Sequence, residues 1–167
     1  LLYQEPNGKF ITEVKVSNDN TRIALLVNNA NGYEAEIYTI DMSGAFLNSV
    51  ISGVEGALGG LDLSVDNQKI LYTQDVSGYQ SDDYRQLNSR IFIYNFSSNT
   101  SVDISDNKPD GTNDLDPRFS PSEAEVTYVN TSNDGISEMV IEITTIENEG
   151  ESSREELYSN AKMPDWE

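Results

Sequence analysis

At 167 residues, with 37% apolar and 23% charged residues, the chain has the composition of a folded domain large enough to bury a core. Ten Lys and Arg stand against 29 Asp and Glu, a formal net charge of -19, which repels polyanions and anionic surfaces and argues against nucleic acid or membrane lipid as a partner. Cysteine and histidine are absent, which removes disulfides, thiolate and imidazole metal sites and every nucleophile system that needs a histidine base.

Strand signals follow one another along the whole chain. Thr12–Val16 alternates with period two, Asn18-Asp19-Asn20 is turn chemistry, and Ile23–Val27 is a buried-strand run too short to cross a bilayer. Asn31-Gly32 suits the positive φ angles of a tight hairpin before a third strand at Glu36–Ile40. After Asp41-Met42-Ser43-Gly44, the run Phe46–Ile51 completes a unit of four antiparallel strands. The same order returns as Leu61–Leu63, Ile70–Thr73, Arg90–Tyr94 and Ser101–Ile104, with the stretch 75–89 lengthening its central hairpin. A third unit runs through Asp116–Phe119, Val126–Val129 and Met139–Ile143 to about Leu157-Tyr158.

These units are repeats. Ser17-Asn18-Asp19-Asn20-Thr21-Arg22-Ile23 returns as Ser64-Val65-Asp66-Asn67-Gln68-Lys69-Ile70 and as Ser120-Pro121-Ser122-Glu123-Ala124-Glu125-Val126, at intervals of about 50 residues. A period of that size built from strands is the pattern of propeller blades. The expected fold is therefore all-β, with four-stranded blades at 11–51, 60–105 and 115–159. Val16, Leu63, Phe119 and Trp166 are expected as equivalent buried residues, with Ile23, Ile70 and Val126 filling the layer between blades. Met163-Pro164-Asp165-Trp166 aligns with Asp116-Pro117-Arg118-Phe119, so 163–167 reads as a further inner strand and 1–4 as an outer one. Because closed propellers need roughly four to eight blades, the expectation is an arc completed by the rest of a longer propeller, or by another chain along the 1–4 and 163–167 edges.

Pro117-Arg118-Phe119-Ser120-Pro121, Met163-Pro164-Asp165-Trp166 and Ile37-Tyr38-Thr39-Ile40-Asp41 resemble the repeats of TolB-like β-propellers over essentially the whole chain. The chain departs from the family's Asp-Gly hairpin, which stands here as Asp19-Asn20, Asp66-Asn67 and Ser122-Glu123. The resemblance implies a six-bladed type of propeller, a periplasmic or extracellular location and a protein or peptide partner. It extends equally to the non-catalytic propellers that gate prolyl oligopeptidase-type serine peptidases.

Two segments offer site chemistry. The oxygen-rich stretch around Gly111 carries Asp106, Asp110, Asp114 and Asp116, a ligand set for calcium, although Lys108 and Pro117 break the helix-loop-helix calcium pattern. Read without a metal, it is a polar link between blades. The long hairpin carries Tyr79, Asp82, Asp83, Tyr84 and Arg85, residue types frequent at binding hot spots; as an alternative it is a plain insertion. The sequons at Asn95, Asn99 and Asn130 read as coincidence in an asparagine-rich chain. The chain thus reads as a non-enzymatic binding module of a secreted or periplasmic protein, with a peptidase-gating propeller as the alternative.

Overall fold

The computed structural model describes residues 3–29, 34–78, 86–133, 139–146 and 153–166. Twelve strands form three four-stranded antiparallel sheets. The first holds β1 (Phe10–Val16), β2 (Ile23–Asn28), β3 (Glu34–Ile40) and β4 (Phe46–Glu55); the second holds β5 (Leu58–Leu63), β6 (Lys69–Asp75), β7 (Ser89–Asn95) and β8 (Thr100–Asp103). The third holds β9 (Thr112–Phe119), β10 (Glu125–Ser132), β11 (Met139–Thr145) and β12 (Glu155–Ser159). Each sheet runs in chain order, and β5 lies against both β1 and β9, so the first strand of each blade is the inner one. Among the described residues no helix is long and apolar enough to cross a membrane.

The repeated phrase builds one hairpin three times. Ser17, Ser64 and Ser120 are buried, and their amides donate to the carbonyls of Arg22, Lys69 and Glu125 at 2.9, 3.0 and 2.8 Å. Three residues after each serine the backbone turns left-handed, at Asn20 (φ 55°), Asn67 (φ 59°) and Glu123 (φ 59°). Asparagine takes this conformation at low cost, whereas glutamate does not. Glu123 recovers the difference through its side chain: Oε1 accepts from the Asp66 amide at 2.7 Å, and Oε2 lies 3.9 Å from the Lys69 ammonium on the neighbouring blade.

A second left-handed residue recurs in the inner strands, at Gly60 (φ 62°), Asp116 (φ 50°) and Met163 (φ 61°). Gly60 is required there for space as well, because a Cβ would sit 2.6 Å from the Pro117 ring. Pro164 is buried as Pro117 is, and Met163 shares the left-handed backbone of Asp116. The described part of the expected 163–167 strand nevertheless carries no strand pairing, since no described segment offers it a ladder. At the other flank, Leu1, Leu2 and Glu167 lie outside the described residues, and Tyr3 stacks edge-on against Tyr38, with its hydroxyl 2.8 Å from that of Tyr38, rather than joining a sheet.

Side-chain alternation gives the second sheet two seams, one with each neighbouring sheet. In the first seam Ala24, Leu26 and Ile37 meet Leu63, Ile70, Tyr72 and Tyr94; in the second Leu71, Ile91, Ile93 and Ile104 meet Phe119, Val126 and Tyr128. Inner strands are also stapled by carboxylates: Glu13 accepts from the Leu61 amide at 2.8 Å, and Asp62 accepts from the Phe119 amide at 2.9 Å while pairing with Lys15 at 2.7 Å. Burial pushes the Glu13 carboxyl above its ordinary pKa, against the pull of the Leu61 amide.

Ile70 and Val126 are buried in the two seams as expected, and Leu63 and Phe119 are buried too; Ile23 is buried with Leu25, Val27, Tyr38 and Ile40 on the other face of the first sheet, not between two described blades. Val16 is not buried: it is 43% exposed. It pairs with Ile23 on the face of the first sheet turned away from the second, where Val14 and Phe46 are also exposed. Trp166 is half-buried.

Phe119→Ala should therefore cost about 3 kcal/mol in urea unfolding, and Val16→Ala less than about 1 kcal/mol. Equal losses would mean that the two residues share an environment, contrary to the seam assignment. At the hairpin, Asn67→Ala should lower the midpoint by an amount corresponding to about 1 kcal/mol while Asn67→Gly changes it by no more than a few tenths, because only glycine keeps φ 59° without strain.

Candidate functional site

On one face of the second seam, the β6–β7 link, the β8–β9 link and the start of the β10–β11 link surround a polar depression of about 500 Å³. Leu87 and Asn88 form one wall, Lys108, Asp110 and Thr112 another, and Asn133 a third. The stems of the β6–β7 link are fixed by Asp75, whose carboxylate accepts from the amides of Ser77 and Asn88 at 2.9 and 3.0 Å. Lys108 donates through Nζ to the Thr112 carbonyl, and Asn113 donates to Asn133 at 2.7 Å. Burial holds the Lys108 ammonium below its ordinary pKa, opposed by the nearby Asp114 carboxylate.

Two residues along β9 from Thr112, Asp114 is fully buried, and its two oxygens accept four hydrogen bonds. Arg154 approaches in a two-pronged pair at 2.9 and 2.7 Å, Asn130 donates at 2.8 Å, and Ser105 at 2.7 Å. The same guanidinium bonds Glu142 and stands 5.0 Å over the Tyr128 ring. Burial opposes the charge on Arg154, yet Asp114 keeps its pKa above the ordinary arginine value; burial also raises that of the Tyr128 hydroxyl. Through Ser89 Oγ, which donates to the Asp114 carbonyl at 2.9 Å, and Ser105 Oγ, which accepts from the Ile91 amide at 2.9 Å, the network ties the second blade to the third.

A smaller cavity of about 170 Å³ opens between β5 and β9, lined by Leu58, Gly59, Gly60, Thr73, Leu115 and Asp116. Leu87 borders both hollows.

Tyr79, Asp82, Asp83, Tyr84 and Arg85 lie outside the described residues; the stems that carry them, at Ser77 and Gln86–Asn88, line the depression. The four aspartates read as calcium ligands are not brought together. Asp106 and Asp110 are exposed, Asp116 is exposed with left-handed backbone, and Asp114 is enclosed by its four donors. Among the described residues no group of three or more carboxylates could hold a metal ion. Asp106 and Asp110 stay in the polar β8–β9 link, Asp114 faces the seam from β9, and Asp116 is turned away from it because the left-handed backbone and the register shift at that point of β9 break the alternation. Arg154 escaped the sequence reading because it stands in an acidic, serine-rich stretch with no periodic signal. The amide of Asn130 is buried in the Asp114 network, which accounts for that sequon as structural.

No family model matches the chain, and no curated protein matches it. Solved structures do. TolB from Acinetobacter baumannii is 19% identical with a TM-score of 0.58 over 87% of this chain and 32% of its own. A chain of the nidogen/laminin complex is 13% identical with a TM-score of 0.65 over 98% and 54%. The β-propeller domain of the Trilobed protease from Pyrococcus furiosus is 13% identical with a TM-score of 0.58 over 88% and 43%. The chain thus spans about a third to a half of these structures, and the likeness shows a propeller-type fold.

Removing Arg154 strands a buried carboxylate. Arg154→Met should cost about 3 kcal/mol, and Asp114→Asn added to it should recover part of that loss. A double-mutant cycle by urea unfolding measures the coupling, which should exceed about 1.5 kcal/mol; simple additivity would show that the pair does not act as a unit.

Proposed function

We propose that the chain is a non-enzymatic propeller module that binds a protein or peptide segment on the face above the second seam. The observation that supports this most directly is the depression of about 500 Å³ itself, where three inter-strand links meet. Loops held by a rigid scaffold are the usual place for recognition, and polar walls of amides, hydroxyls, the Asp110 carboxylate and the Lys108 ammonium supply hydrogen-bonding partners for a main chain. The tip residues Tyr79, Asp82, Asp83, Tyr84 and Arg85 are proposed to join this surface.

A secreted or periplasmic location follows as a proposal from the resemblance of the repeats to TolB-like propellers. The alternative, a propeller gating a prolyl oligopeptidase-type peptidase, is favoured by the likeness to a protease's propeller domain, and would direct the same face toward a catalytic partner. The face of the first blade with exposed Val14, Val16 and Phe46 is proposed to be covered by a further blade or another chain, because exposed apolar sheet faces beside unpaired edges associate.

Selection of a random peptide library on the immobilised chain tests the binding role. Sequences should enrich whose affinity falls at least about tenfold with Asn88→Trp, which puts a bulky ring into the depression from its wall. No enrichment over the bare support, or enriched peptides indifferent to Asn88→Trp, would reject the reading. Hydrolysis of peptide or ester substrates by the purified chain would reject its non-enzymatic part.

A further inference from the structure

The small cavity differs in character from the depression it adjoins. Its walls are largely apolar, from Ala57, Leu58, Leu87 and Leu115, and the backbone of Gly59 is bare to it: a Cβ there would meet only Thr73 Oγ1, at 3.5 Å. A hollow of roughly 150 Å³ accepts a benzene-sized group, so about 170 Å³ admits one side chain of leucine or phenylalanine size. At its edge stands Asp116, exposed and forming no ion pair among the described residues. Arg118, the nearest cation along the same strand, donates to the Pro117 carbonyl and faces Glu13. The formal charge of -19 adds a long-range field that draws cations and repels acidic segments.

We propose that the ligand of this face is an extended peptide segment carrying an aliphatic or aromatic residue beside a lysine or arginine. The apolar side chain fills the cavity between β5 and β9, the cation pairs with Asp116, and the main chain passes over Leu87 into the polar depression. This inference rests on the peptide-binding reading and specifies its ligand. The shared wall at Leu87 makes the two hollows one continuous track from an apolar anchor point to a polar bed, the division of labour that fixes both position and register of an extended chain.

The peptide selection described above distinguishes the two levels when the enriched sequences are read and the best of them is synthesised and titrated by fluorescence anisotropy. The expected result is an adjacent apolar–basic pair in the enriched set, a loss of at least about tenfold in affinity with Gly59→Leu, and a smaller loss with Asp116→Asn that also flattens the salt dependence. Asparagine keeps the left-handed backbone at position 116, so that variant tests charge alone. Should Gly59→Leu fail to fold, Leu115→Ala serves instead: it enlarges the cavity and should shift the preferred anchor from leucine toward phenylalanine or tryptophan. Enriched peptides without the pair, or peptides sensitive to Asn88→Trp yet unaffected by both cavity variants, would overturn this inference and leave the binding role standing. Absence of any enrichment would overturn both.

Discussion

The Asp114 carboxylate is the point through which the second seam is organised. A fully buried charge is tolerable only when every lone pair has a donor, and here a two-pronged guanidinium, an amide and a hydroxyl supply them. Those donors come from β10, from the link before β12 and from the end of the second blade. Ser89 and Ser105 are tied into the same network, Ser89 through the Asp114 carbonyl and Ser105 through the carboxylate itself.

The strands were legible because their physics is local. Period-two alternation, β-branched runs and a turn phrase, with asparagine at the left-handed position in the first two repeats, mark each hairpin without reference to the rest of the molecule. The repeat added what alternation alone does not give, namely which residues are equivalent, and Ser17, Ser64 and Ser120 form the same hydrogen bonds in all three blades.

What the sequence did not yield depends on neighbours. Val16 has the same phase as Leu63 and Phe119 and the same apolar character, but burial belongs to a pair of faces, and the face of the first blade that carries Val16 has no described sheet against it. The aspartates of the 106–116 stretch look alike in composition, whereas the fold assigns them opposite environments. Asp114 falls at a seam-facing position of β9, and its partner Arg154 lies in a different link, with nothing in either segment to announce the other. Glu123 is a further case: a residue poorly suited to its backbone angle is retained where its side chain bridges to Asp66 and Lys69 of the adjacent hairpin.

Strand registers allow the two seams to be compared at one position. Asp114 pairs across its sheet with Asn130, as Leu58 pairs with Gln74 and Ile11 with Val27. Where the second blade presents leucine to the first seam, the third presents a carboxylate to the second seam, together with an arginine to answer it. Exchange of a packed apolar side chain for a buried ion pair brings little stability, since desolvation offsets most of the attraction. Its effect is directional: hydrogen bonds fix angles and partners that aliphatic contact leaves free. The exchange occurs at the seam whose face carries the long β6–β7 link and the depression, so the polar network is found where the position of the emerging chain matters, and the first seam keeps its leucine.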